Sequence, residues 1–278
     1  MKSAKQIVFI AIGVAMILLA VGLIAMKKGR DSDGGTIGGE SGTRTFPGTV
    51  KDLVFEVGAS TIDVMIGDTE EYILSYEGLK YGTISDRYED GVLRITYRQK
   101  DNWPSKLMYD NDIDKQKITL TVPKNAVLDS AVFEFGAAEI GMEGITAKEL
   151  YVTVGAGQLN AYNLTATEMA KFNAGAGAFY ADEVVLTNAE LMCGVGQMNL
   201  SGIFTGDTTV DCGVGSMELE VEGEQEEYRG DLNCGLGEID FGDISIEGSG
   251  SKSYGTSSAT SRMDIKCGIG EVDVRFED

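Results

Sequence analysis

The chain has 278 residues, with 23 Lys and Arg against 44 Asp and Glu (net charge −21), 37 Gly, 3 Pro, 4 Cys and no His. This balance excludes nucleic acid as a partner, because such binding rests on cationic neutralisation of phosphates, and it excludes adsorption of the acidic body to anionic lipid. The missing histidine removes Ser-His-Asp and Cys-His catalysis and every His-ligated metal site.

In chain order, residues 1–6 are a short N-terminal tail carrying Lys2 and Lys5. Residues 7–26, opening at Ile7 and closing at Met26, form a 20-residue apolar run without a charge. At about 1.5 Å of rise per residue it matches a hydrocarbon core of about 30 Å, so it predicts a transmembrane helix. A cleaved signal peptide would carry an apolar region of about 7–15 residues and an A-x-A-like site, a poorer match. The flanking bases Lys2, Lys5, Lys27, Lys28 and Arg30 balance, so positive-inside counting barely discriminates. The simpler arrangement is a single-pass plasma-membrane protein with its body outside the cell. Beyond residue 30 the chain holds 18 bases and 44 acids, a net −26. Residues 27–45 are rich in Gly, Ser, Thr and Asp and read as a flexible linker.

Residues 46–278 carry one pattern eight times: a Gly with small or apolar neighbours, usually a second Gly two positions on, then apolar residues two and four positions further. The first glycines are Gly58, Gly136, Gly155, Gly175, Gly194, Gly213, Gly235 and Gly268, and from Gly136 to Gly213 they are spaced 19, 20, 19 and 19. A fixed period near twenty predicts stacked coils. Counting from the first Gly, positions −3, −1, +4 and +6 are apolar in nearly every copy. Spacing of two means strands with one buried face, and no 3.6-residue stripe follows Met26. Position −1 holds Val57, Phe135, Val154, Ala174, Cys193, Cys212, Cys234 and Cys267. Position +9 holds Ile145, Leu164, Val184, Ile203 and Ile244, with Glu222 as the exception.

The glycines are expected to turn the corner through a positive φ. Val195, Val214, Leu236 and Ile269, between the paired glycines, are expected to point inward there. Stacking at about 4.8 Å turns each column into a ladder of a continuous core. The fold class is therefore all-β: a single parallel β-solenoid with short strands, preceded by one N-terminal transmembrane helix.

Residues 46–130 read as an irregular N-terminal cap, with strand-like runs at 72–76, 92–98 and 117–122 and the lone Trp103; residues 131–278 read as regular coils. Two coils are enlarged. The 22-residue step after Gly213 holds an acidic stretch at 220–227, and the 33-residue step after Gly235 holds a Ser/Gly-rich stretch at 248–261 that reads as an exposed loop. Arg275, Glu277 and Asp278 are expected to place charge on the last edge.

The segment Lys117-Ile-Thr-Leu-Thr-Val-Pro123, then an apolar strand, then Phe135-Gly136-Ala137 and the repeated Gly-x-Gly strands, resembles the bacterial Toastrack-type putative adhesin family, a domain of unknown function. The likeness runs from about Val50 to the C-terminus. It implies a right-handed β-solenoid, often attached to a membrane anchor, with relatives in cell-envelope stress systems and others called adhesins. It supplies no catalytic residues, and the cysteine column departs from its pattern.

The cysteines read as buried free thiols acting as small apolar residues. Disulfides and a thiolate metal site are the alternatives; parallel stacked side chains keep their Cβ atoms about 4.8 Å apart, wider than the usual bridge, and a linear column does not make a tetrahedron. Outward positions +3 and +5 hold Glu218, Glu238, Asp240, Glu271 and Asp273. Crowded carboxylates are candidate Ca²⁺ ligands, against the plainer reading of a solvated acidic face; no metal or other cofactor is expected. Tyr151, Tyr162 and Tyr180, at non-core positions of consecutive coils, are candidates for one binding face.

The function these readings give is a non-enzymatic, membrane-anchored surface protein. It presents an acidic β-solenoid to a protein or cell-wall partner, as an adhesin or envelope-stress component. The alternatives are a Ca²⁺-dependent polysaccharide-acting enzyme and a structural, self-assembling spacer.

Overall fold

Two ladders of parallel strands meet at the glycine corner, and each carries one half of the repeat. The structure, a computed structural model, describes residues 35–37, 41–79, 82–99 and 116–277. All of its strands belong to one unit, Gly34–Asp278. The apolar run of residues 7–26 and Trp103 lie outside the described residues. Among the described residues no helix is long and apolar enough to cross a membrane.

The N-terminal strands are β1 (Gly35–Ile37), β2 (Gly42–Phe46), β3 (Asp52–Val57), β4 (Thr61–Gly67), β5 (Tyr72–Glu77), β6 (Gly82–Glu89), β7 (Val92–Gln99) and β8 (Lys117–Pro123). The regular coils follow as β9 (Leu128–Phe135), β10 (Glu139–Glu143), β11 (Thr146–Val154), β12 (Gln158–Tyr162), β13 (Thr165–Ala174), β14 (Ala178–Thr187), β15 (Ala189–Cys193), β16 (Gln197–Thr205), β17 (Asp207–Cys212) and β18 (Ser216–Glu222). The C-terminal group is β19 (Tyr228–Cys234), β20 (Glu238–Phe241), β21 (Ile244–Glu247), β22 (Gly250–Tyr254), β23 (Ser261–Cys267) and β24 (Glu271–Glu277).

One parallel ladder runs β7-β3-β9-β11-β13-β15-β17-β23-β19, and the other runs β8-β4-β10-β12-β14-β16-β18-β24-β20. Coils do not stack in chain order at either end. The coil of β3 and β4 lies between the later coil of β7 and β8 and the coil of β9 and β10. The last coil, β23 and β24, lies between the Gly213 coil and the Gly235 coil. The expectation that Arg275 and Glu277 guard the last edge is therefore overturned, because their strand is interior to its ladder.

Antiparallel strands close both ends, covering parallel edges that would otherwise invite pairing with another chain. At the N-terminal end β6 and β5 flank β7 and β8, and β1 and β2 add to them. The β6–β7 hairpin turns on Asp90 (φ 51°) and Gly91 (φ 83°), an Asp-Gly pair with the positive φ values that such turns need. Arg44 Nη1 ties β2 to β6 by donating to both Asp86 carboxylate oxygens at 2.7 and 2.9 Å. The linker expected over residues 27–45 thus contains paired strands in its described part. At the other end β22 pairs with β19 and β21 with β20, so the Ser/Gly-rich stretch expected as an open loop is in part an edge strand that closes this end. Beneath it Phe241 packs on Tyr254 and Phe276 at centroid distances of 4.3 and 5.0 Å.

The core holds the predicted ladders: positions −3, −1, +4 and +6 are buried in every coil. Burying each large aliphatic or aromatic side chain contributes about 1.5–3 kcal/mol. Phe172 and Phe179 stack across one coil at 5.0 Å. The column at +9 holds only as far as Val184. The register breaks between Ala181 and Val184, where Glu183 takes φ 54° and Gly202 comes opposite Val184. From there the inward column moves back by one position, from Val184 to the buried Gly202 in the next coil and Val221 in the one after. Ile203 is turned out beside the exposed Val185, as a one-residue slip requires. The slip also accounts for Glu222, which faces water because Val221 fills the core.

Candidate functional site

None of the motif glycines lies at positive φ; those that do sit elsewhere, as at Gly144 and Gly206. What demands glycine is close approach between coils. A Cβ on Gly194 or Gly213 would lie 2.6 Å from the carbonyl oxygen of the first glycine one coil away. On the second glycines, Gly196, Gly215, Gly237 and Gly270, it would overlap the equivalent carbonyl outright. The ladder runs unbroken around the corner: Val214 N donates to Gly194 O at 2.8 Å, Ile269 N to Gly213 O at 2.8 Å and Leu236 N to Gly268 O at 2.7 Å.

This geometry turns the residues between the glycines outward, against the inward orientation expected. Val195, Val214, Ile269 and Leu236 are 68%, 56%, 61% and 75% exposed, and in that spatial order they form one aliphatic ridge. The earlier coils carry only Ala59, Ala137, Ala156 and Ala176 there. Beside the ridge the column of second glycines, having no side chains, forms the floor of an open groove of about 770 Å³. Its far wall is the +3 row, Gln197, Ser216, Glu271 and Glu238, continued by Glu247 on β21.

The five acidic residues singled out by the repeat do share this side of the molecule. Glu218, Asp273 and Asp240 are successive partners in one row, and Glu271 and Glu238 in the next. They do not converge on a point: among the described residues no group of three or more acidic or cysteine side chains is placed to hold a metal ion. Arg275 also occupies part of the row, with Nη1 2.5 Å from Glu218 Oε1 and its other nitrogen on Asp273. Asn199 Nδ2 donates to Glu218 Oε2 at 2.9 Å.

Crowding by Asp240 first, then burial, Glu247, Glu271 and Asp273, holds the Glu238 carboxyl above its ordinary value. Glu134 and Asp211 are also raised, chiefly by burial. A raised carboxyl binds its proton more tightly folded than unfolded, so its contribution to stability grows as pH falls toward the folded pKa and is lost as pH rises through it. Asp129, held low by Lys148, and Asp231, held low by Ser253 and Arg262, act oppositely, and only below the ordinary carboxylate range. The melting temperature is thus expected to rise from pH 7 to about pH 5 and to fall below about pH 4. Glu238→Gln is expected to raise it at pH 7 and to flatten part of the rise. Calorimetry over that series checks both; a melting temperature that falls steadily from pH 7 contradicts them.

Inside the same corner Cys193, Cys212, Cys267 and Cys234 stack in register, all buried and free. Each of the first three tucks its sulfur under a second glycine one coil on; a Cβ on Gly215 or Gly270 would lie 2.8 or 2.9 Å from Cys193 or Cys212 Sγ. Cys212 Sγ donates to Gly215 O at 3.2 Å, and Cys267 Sγ to Gly270 O at 3.0 Å. Contact with Cys193 and burial push the Cys212 thiol up; burial and Cys234 push Cys267 up to about 11. Those two stay protonated at neutral pH and are poor nucleophiles. The tyrosines do not share one face: Tyr151 lies on β11 beside Lys171, while Tyr162 and Tyr180 lie on β12 and β14 in the other ladder.

Sequence reasoning missed the groove. Its signal was a change in the residue after the first glycine, from alanine in four coils to Val, Val, Leu and Ile in the other four.

The profile of the Toastrack DUF4097 family matches residues 50–277. No curated protein matches the chain. Among solved structures, a putative adhesin from Bacteroides fragilis is similar at 16% identity and TM-score 0.44, covering 89% of this chain and 100% of its own. A putative cell adhesion protein from Clostridium sporogenes is similar at 13% identity and TM-score 0.41, covering 85% of this chain and 100% of its own.

Proposed function

The chain belongs to the Toastrack DUF4097 family, and from that premise we propose that it is a non-enzymatic surface protein. It is anchored in the plasma membrane by residues 7–26 and holds the acidic solenoid outside the cell to engage a protein or cell-wall partner. The family resemblance supports a right-handed winding for the coils. The observation that carries the reading is the aliphatic ridge: four large side chains more than half exposed, side by side on coils whose every inward position is spent on the core. Single exposed aliphatic residues are ordinary, but a contiguous row with a charged border marks a contact surface. Adhesion and the sensing of envelope stress are the two forms this function takes.

Protease treatment of intact cells tests the placement. The body should be cleaved before lysis, and a body protected until lysis overturns it. Crosslinking of intact cells should then join the chain to an envelope protein or to wall polymer.

A further inference from the structure

The groove beside the ridge has one apolar wall, one acidic wall and a floor without side chains. The apolar wall is Val214, Ile269 and Leu236; the acidic wall is Glu271, Glu238 and Glu247. We propose that this groove binds an extended, cationic polypeptide segment that packs aliphatic side chains on the ridge and directs Lys or Arg to the three glutamates. The proposal rests on the reading of the chain as an interaction scaffold and names the partner's chemistry.

Shape favours an extended chain. Three to four inter-coil steps of about 4.8 Å make the groove roughly 14–19 Å long, which an extended chain spans in about four to six residues with side chains alternating in direction along it. Charge selects the sign. Glu238 faces Glu271 on one side and Glu247 on the other, and Asp240 first, then these two, make it hold its proton more tightly. A cation entering this row relieves repulsion instead of adding to it. A second copy of the chain is disfavoured as occupant, because each body beyond residue 30 carries a net −26. The backbone amides of the ridge are already used in the ladder, so recognition falls to side chains.

The test uses the purified full-length chain in neutral-lipid nanodiscs, with empty nanodiscs as the blank. The probe is a fluorescent twelve-residue peptide of alternating Val and Lys, beside Ser/Lys and Val/Glu counterparts. The Val/Lys peptide is expected to bind at least tenfold more tightly than either counterpart, and more weakly as salt rises. Ile269→Ser with Leu236→Ser should weaken it at least tenfold. Glu238→Gln with Glu271→Gln should weaken it three- to tenfold and flatten its salt dependence. All four positions are at the surface, and a melting temperature unchanged for the ridge variant and no lower for the glutamate variant would show that the fold is kept. Equal binding of the Ser/Lys peptide, unchanged binding by the ridge variant, or ridge-dependent dimerisation that excludes the peptide would each overturn the proposal. Because the assay uses purified protein, its failure leaves the surface location tested by proteolysis untouched.

Discussion

Gly215→Ala is expected to destabilise the fold by about 3 kcal/mol or more, the upper range for overpacking a rigid interior. For a body of this size that is a fall of roughly 6–12 °C in melting temperature. The added methyl would overlap Gly196 O and lie 2.8 Å from Cys193 Sγ. Neither obstacle moves cheaply: the carbonyl accepts a ladder hydrogen bond from Ser216 N at 3.1 Å, and the thiol is enclosed in the core. Gly58→Ala is the control, since its nearest neighbour would be Gln99 Oε1 at 3.5 Å, an ordinary contact at the tip of a flexible side chain. It should be neutral or slightly stabilising, because alanine reduces the freedom of the unfolded chain. Gly213→Ala, at 2.6 Å from Gly194 O, should fall between the two. Equal melting temperatures for Gly215→Ala and Gly58→Ala would refute close stacking as the reason for the repeat.

That distinction shows what the sequence pattern could carry. Glycine at a fixed spacing is equally consistent with a positive φ and with a neighbour too close for a side chain; only the stacked backbone separates them. The same holds one residue away, where an aliphatic residue at a corner fits an inward or an outward orientation, and where Val195 and Ile269 prove to face water. Columns flanking the corner were legible because period two leaves no such choice: Phe133, Leu159 and Val210 are buried as the alternation requires. Ile203 escaped because a register break upstream, at Glu183, moved the inward face by one position. The acidic rows were legible as neighbours, but their edge toward the groove was not, since Glu247 arrives from a hairpin outside the repeat. Coil order was the least legible property. Each coil offers the same complementary surface to any other, so local pattern does not say which coil is adjacent; the long steps after Gly213 and Gly235 were the trace of the detour.

Coil order yields the second large effect. Deleting residues 261–278 from a solenoid stacked in chain order would trim its final layer and leave the rest capped as before. Here it removes β23 and β24 from the interior of their ladders, so β17 and β19 lose a shared partner, and β18 and β20 lose another. Leu232, Ile239 and Phe241, fully buried in the intact chain, would lose the neighbouring layer of Ile265, Val272 and Val274. At about 1.5–3 kcal/mol for each large buried side chain, the loss exceeds what the β19–β22 and β20–β21 pairings can hold, since isolated hairpins are marginal in water. Residues 225–260 should therefore become protease-sensitive as a block. A chain ending at residue 260 should be trimmed to the same resistant core as a chain ending at residue 224, with both exposing the edge of the Gly213 coil. Limited proteolysis read by intact mass decides it, and protection of residues 225–260 in the longer truncation would refute the inserted coil. A nearest-neighbour stack ordinarily loses stability one repeat at a time from its end. Placing the C-terminal coil inside the ladder makes the groove, the ridge and the closing strands depend on the last seventeen described residues of the chain.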